Sequence, residues 1–156
     1  MLTFTNTYSE LQRAVSYHQL GQLDQAENIY RKILEDDPQH VDALHLLGLV
    51  TYQSGRVEIA INLMKEAISL SPESSNLLCN LGDIFRALGR FEESIQVYQR
   101  AMVVGSKSAE IYNVIGLTFK DSGKTEEAIQ AYQKAIRIDP DYVEAYNNLG
   151  NSFKAD

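Results

Sequence analysis

Few residues in this sequence could carry out chemistry, and the most suggestive are His45, Cys79 and Asn113, which follow one another at intervals of 34 residues. Histidine, cysteine and asparagine are the residue types of a thiol-nucleophile site, in which an imidazole takes the proton of the sulfur and an amide orients the imidazole. Such a site needs the histidine between the other two, touching both. Here the cysteine is the middle member and no oxyanion donor is evident, so the three read as unrelated surface or half-buried residues. Metal chemistry fares no better. His18, His40 and His45 lack the close pairing of metal ligands, and Cys79, the single cysteine, cannot complete a zinc set. The nine glycines are dispersed singly, and none belongs to a phosphate-cradling loop. The expectation is a non-enzymatic chain with no cofactor and no metal.

Composition narrows the partners. The 156 residues are 44% hydrophobic and 22% charged, the balance of one ordinary folded domain. Fourteen basic against 21 acidic residues leave a net charge of −7, so the positive field that draws proteins onto phosphate backbones is missing. One cysteine cannot form an intrachain disulfide, which suits a reducing compartment. Met1 to Thr7 show neither a basic leader nor a long apolar run, and the apolar stretch from Leu46 to Val50 falls far short of the roughly 20 residues that span a bilayer. Neither nucleic acid nor membrane is an expected partner, and the expected compartment is the cytoplasm.

Glycine and proline set the organisation. Gly21, Gly55, Gly89 and Gly123 step by 34 residues, and so do Gly48, Gly82, Gly116 and Gly150. Pro38 and Pro72 differ by the same interval and Pro140 lies two intervals further on, with Ser106 in the vacant slot. Apolar residues recur at helical spacing within each interval, as Leu44, Leu47 and Val50 and then Ile61, Met64 and Ile68. Each interval therefore reads as two helices. The first set of glycines ends the first helix, where a left-handed residue reverses the chain. Asp24, Glu58, Glu92 and Glu126 open the second helix, whose positive dipole end favours acids, and proline stops it. Thr7 with Glu10 has the spacing of a capping box for the very first helix.

The period and its internal pattern resemble the tetratricopeptide repeat, whose unit carries a large residue, Leu-Gly, an aromatic, Ala, a second aromatic and Pro. The unit at 109–142 supplies Tyr112, Ile115, Gly116, Phe119, Ala128, Tyr132, Ala135 and Pro140. The unit at 75–108 supplies Leu78, Leu81, Gly82, Phe85, Tyr98 and Ala101, with Ser94 and Ser106 as departures. The unit at 41–74 puts Thr51 and Met64 in the aromatic slots, and the unit at 7–40 is the most divergent, with Glu10, Arg13 and Ala14 where a large residue, Leu and Gly are usual. Residues 1–6 read as an extension and 143–156 as the first helix of a fifth unit acting as a cap. The resemblance implies an all-α, right-handed α-solenoid of helix-turn-helix repeats, stabilised by stacking because two short helices are marginal alone.

In this family the first helices line a concave groove that binds a peptide or a partner helix, and the resemblance assigns that role to one face of each. The implied groove residues are His45, Asn113 and Asn147 at the fifth position of the unit, Asn80 and Asn148 at the sixth, Asp83 and Asn151 at the ninth, and Tyr52, Arg86 and Lys120 at the twelfth, with Lys154 in the next twelfth slot. Asn80 and Asn148 sit just before Leu-Gly, where the superhelix of O-linked N-acetylglucosaminyltransferases carries a peptide-holding ladder of asparagines. Leu46 and Val114 interrupt that ladder here, and Asn113 is displaced by one residue. The carboxylate clamp of chaperone-binding repeats lacks its set of lysine, asparagine and arginine in every window. Ala14 to Pro72 also resembles the amino-terminal repeats of bacterial glycosyltransferase-like and sulfotransferase proteins, so a substrate-recognition arm is the alternative to a free-standing interaction scaffold. Tyr146, Leu149 and Phe153 form an apolar face that a following helix normally covers. The expectation is either the amino-terminal piece of a longer protein or a homodimer through this uncapped helix.

Overall fold

The computed structural model describes residues 4–105 and 108–153, so Ser106 and Lys154 lie outside the described residues. The chain divides into two compact units, residues 1–72 and 73–156. The first holds α1 (Phe4–Gln19), α2 (Leu23–Asp36), α3 (Val41–Gln53) and α4 (Val57–Leu70). The second holds α5 (Ser75–Ala87), α6 (Phe91–Val104), α7 (Ala109–Asp121), α8 (Thr125–Ile138) and α9 (Val143–Ser152). Every element among the described residues is helical, and consecutive helices pair as α1 with α2, α3 with α4, α5 with α6 and α7 with α8. None of these helices is long and apolar enough to cross a membrane.

The punctuation acts as its chemistry requires. Gly21, Gly55, Gly89 and Gly123 stand at φ of 71°, 79°, 72° and 78°, the left-handed region open to glycine. The residue after each closes the end of the first helix, as Arg56, Arg90 and Lys124 donate their backbone N–H to the carbonyls of Thr51, Phe85 and Phe119, each at 2.9 Å. The second helices carry acids in their first turns and end before Pro38, Pro72 and Pro140. Their N-termini have no side-chain cap. Three of the later first helices do have one, because His40 Nδ1 accepts from Ala43 N, Ser74 Oγ from Leu77 N and Ser108 Oγ from Ile111 N. The capping box expected at Thr7 is not at a helix start, because α1 already runs from Phe4 and places Thr7 one turn inside it.

Packing explains the second set of glycines. Tyr98 and Tyr132 are fully buried and lie against Gly82 and Gly116 so closely that an added Cβ would stand 2.7 Å and 2.5 Å from their rings. Met64 takes the same seat over Gly48, at 3.1 Å from such a Cβ. The departures from the repeat pattern are chemically satisfied. Buried Ser94 donates its hydroxyl to the Gly82 carbonyl at 2.8 Å, and buried Thr51 donates to the Leu47 carbonyl at 2.7 Å. In the first unit Leu11, Ala14, Tyr30, Ile33, Leu47 and Val50 form one cluster. In the second, Ala109, Ala135 and Ala145 join α7, α8 and α9.

Candidate functional site

The first helices of the second unit are tied side by side through their polar residues. Arg86 of α5 donates Nη1 to Asp121 Oδ2 of α7 at 2.9 Å. Asn148 of α9 donates its amide to Asn113 Oδ1 of α7 at 2.9 Å, and Asn113 donates in turn to the Tyr142 hydroxyl at 3.4 Å. These bonds bring Arg86, Asn113 and Asn148 onto adjoining helices. Asn113 is 5% exposed, so its amide serves the stack of helices and orients Asn148, which is half-buried. Asp83, Lys120, Asn147 and Asn151 are exposed, and Asn80 is half-buried. The surface offers amides, two cations and a carboxylate on α5, α7 and α9, the first helices of their repeats, a mixture able to meet both donors and acceptors of a peptide backbone.

Asp83 has a second duty. Its Oδ1 accepts the Tyr98 hydroxyl at 2.6 Å. Burial first, and then this contact with a carboxylate, pushes the Tyr98 hydroxyl far above its ordinary range. Tyr132, one repeat on, has Leu117 where Asp83 would be, and its buried hydroxyl finds no partner among the described residues. Burial pushes that hydroxyl up to about 12. In the first unit, His45 and Tyr52 are half-buried on α3, and His18 Nε2 meets Gln53 Oε1 at 3.0 Å between α1 and α3.

The thiol is not prepared for catalysis. Burial, and then the nearby charge of Asp83, raises Cys79 above its ordinary value, the opposite of what a nucleophilic cysteine needs. Burial also lowers His45, with Asp42 opposing it. Among the described residues no group of three or more His, Cys, Asp and Glu side chains is placed to hold a metal ion.

Sequence reasoning passed over one charged cluster. Glu27 occupies the slot that Ile61, Ile95 and Ile129 fill in the other units, yet it is buried. Arg31 donates to Glu27 Oε1 from both Nε and Nη2, at 3.0 Å and 2.8 Å. Arg56, from the turn between α3 and α4, donates to both carboxylate oxygens, with Nη1 at 2.7 Å from Oε1. An acid in an isoleucine slot was the available signal.

Residues 82–123 and 116–156 match the family described as TPR repeat, and residues 19–101, just over half of the chain, match the one described as anaphase-promoting complex, cyclosome, subunit 3. No curated protein gives a significant match. Among solved structures, a crystal structure of the MamA protein is 28% identical with a TM-score of 0.80, over 95% of this chain and 81% of that one. PilF of Pseudomonas aeruginosa is 21% identical with a TM-score of 0.82, over 96% and 68% of the two chains. A chain of the APC/C hetero-tetramer Cut9-Hcn1 is 19% identical with a TM-score of 0.78, over 92% of this chain and 29% of that one. The latter two share the fold. The chain belongs to the tetratricopeptide repeat family, residues 19–101 matching the repeats described for anaphase-promoting complex subunit 3 and residues 82–156 those described as TPR repeat.

Proposed function

We propose that the protein is an interaction scaffold and that the first helices of its second unit bind a peptide or a partner helix across Asn80, Asp83, Arg86, Lys120, Asn147, Asn148 and Asn151. The supporting observation is the pair of links Arg86–Asp121 and Asn148–Asn113, which set three polar helix faces next to one another. Asn113 acts from beneath, holding the Asn148 amide in place. His45 and Tyr52 provide a second recognition face on α3. Membership of a repeat family whose neighbours include a subunit of a multiprotein complex supports the scaffold role.

The test starts from peptides selected against the intact protein by display, followed by calorimetry on a Lys120→Ala, Asn147→Ala, Asn151→Ala variant. These side chains are exposed, so the fold is expected to survive their loss. Affinity for the selected peptides is expected to fall at least tenfold. Undiminished affinity in a folded variant would place recognition elsewhere.

A further inference from the structure

Leu117 gives up an interaction that the preceding repeat makes. It falls 34 residues after Asp83, whose carboxylate accepts the Tyr98 hydroxyl at 2.6 Å. Tyr132 is the counterpart of Tyr98 and is equally buried, so an aspartate at 117 would stand to Tyr132 as Asp83 stands to Tyr98. With leucine there, the Tyr132 hydroxyl has no partner among the described residues. The first unit obeys the same rule, because Val15 holds the slot of Asp83 and the buried Tyr30 hydroxyl has no partner among the described residues either. A buried donor left unsatisfied costs stability, and at 117 a single substitution would satisfy it.

Leu117 is not a core residue in exchange. It is half-buried, as is Val114 one turn before it, whereas Ile111, Ile115 and Thr118 are the side chains that α7 buries among its neighbours. Val114 and Leu117 share a helix face. Their equivalents are Asn80 and Asp83 on α5, and Asn148 and Asn151 on α9. Since the links Arg86–Asp121 and Asn148–Asn113 set these three helices side by side, the polar surface has one apolar step at its middle. The step is one helical turn long, about 5.4 Å.

We infer that Val114 and Leu117 determine the specificity of this surface, and that its ligand is a peptide presenting one leucine-sized aliphatic side chain to the step. The inference rests on the reading of α5, α7 and α9 as a peptide-binding face. An aliphatic side chain takes both residues out of water at once. An acid or amide in its place would press polar atoms against methyl groups that cannot pair with them. The exposed amides of Asn147 and Asn151, on the adjoining helix, donate and accept and so hold the ligand backbone whatever its sequence. The interruption of the amides on α7 is therefore the element that selects, and the unpaired Tyr132 hydroxyl is its cost to the fold.

The test uses peptides selected by display against the intact protein and titrated by calorimetry. They are expected to share one aliphatic position, whose change to alanine weakens binding to the parent protein at least tenfold but to the Leu117→Asp protein less than twofold. Leu117→Ala, which adds no charge, is expected to abolish the discrimination in the same way. Leu117→Asp is expected to unfold at a higher denaturant midpoint than Leu117→Ala, because it offers Tyr132 the partner that Asp83 gives Tyr98, and to lose that advantage in a Tyr132→Phe background. A midpoint no higher than that of Leu117→Ala, or selected peptides with no shared aliphatic position, would overturn the inference. So would peptides that lose affinity for the Lys120→Ala, Asn147→Ala, Asn151→Ala protein yet discriminate equally on the parent and both Leu117 variants, a result that leaves the binding face itself in place. Peptides indifferent to every one of these variants bind elsewhere and would overturn the binding face as well.

Discussion

Tyr132→Ala is expected to destabilise the protein by about 3 to 5 kcal/mol, the range for emptying a fully buried aromatic site. Tyr132 is 0% exposed and its ring fills the gap between α8 and α7 over Gly116, so neither backbone can collapse far into the cavity. Denaturant unfolding checks it through the midpoint at constant slope. The reverse intrusion distinguishes steric contact from bulk hydrophobicity. Gly116→Ala gains about 1 kcal/mol of helix propensity but drives a methyl to 2.5 Å from a rigid ring, which overpacking prices at about 1 to 3 kcal/mol. Gly48→Ala meets only the flexible Met64 at 3.1 Å and is expected to be near neutral. Equal effects at the two glycines would contradict the seated-ring geometry.

Glu27 is expected to make stability depend on pH. The hydrogen bonds from Arg56, and then those from Arg31, outweigh the cost of burial and hold its carboxyl at about 2, against an ordinary value of 4.5. The unfolded chain therefore binds this proton more readily than the folded one does. The contribution of Glu27 is complete above about pH 4.5 and is lost as pH falls toward 2. Both arginines are partly in water, with side chains 50% and 37% exposed, which moderates the gain to about 1 to 3 kcal/mol. Glu27→Gln is expected to lower stability by that amount at pH 7, with the gap to the parent closing near pH 2. A gap that stays constant across urea titrations at both pH values would rule out the ion-pair account.

What the sequence displayed and what it concealed divide by range. The four turn glycines, the acids of the second helices and the three prolines each act within a few residues of themselves, so their meaning could be read directly. The side-by-side arrangement of Gly82 with Tyr98 was legible as well, because the period aligned small and large residues across units. The Asn113–Asn148 bond was not. The family resemblance put both on ligand-facing positions, but the Tyr142 hydroxyl and the approach of α9 draw Asn113 into the stack, which depends on contacts 29 and 35 residues away. Glu27 was hidden for the same reason, since its second arginine lies 29 residues downstream. Thr7 misled because a local cap pattern was outweighed by helix formation that continues back to Phe4.

The two glycine series answer to unrelated demands, one torsional and one steric, and they interleave with a fixed offset of seven residues between Gly48 and Gly55. A single inserted residue inside a helix turns everything beyond it by about 100° and takes both series out of phase at once. Lengthening or shortening by a whole unit disturbs neither. A chain built this way can grow or shrink only in quanta, and its coding sequence should tolerate duplication of complete units far better than the loss of one codon.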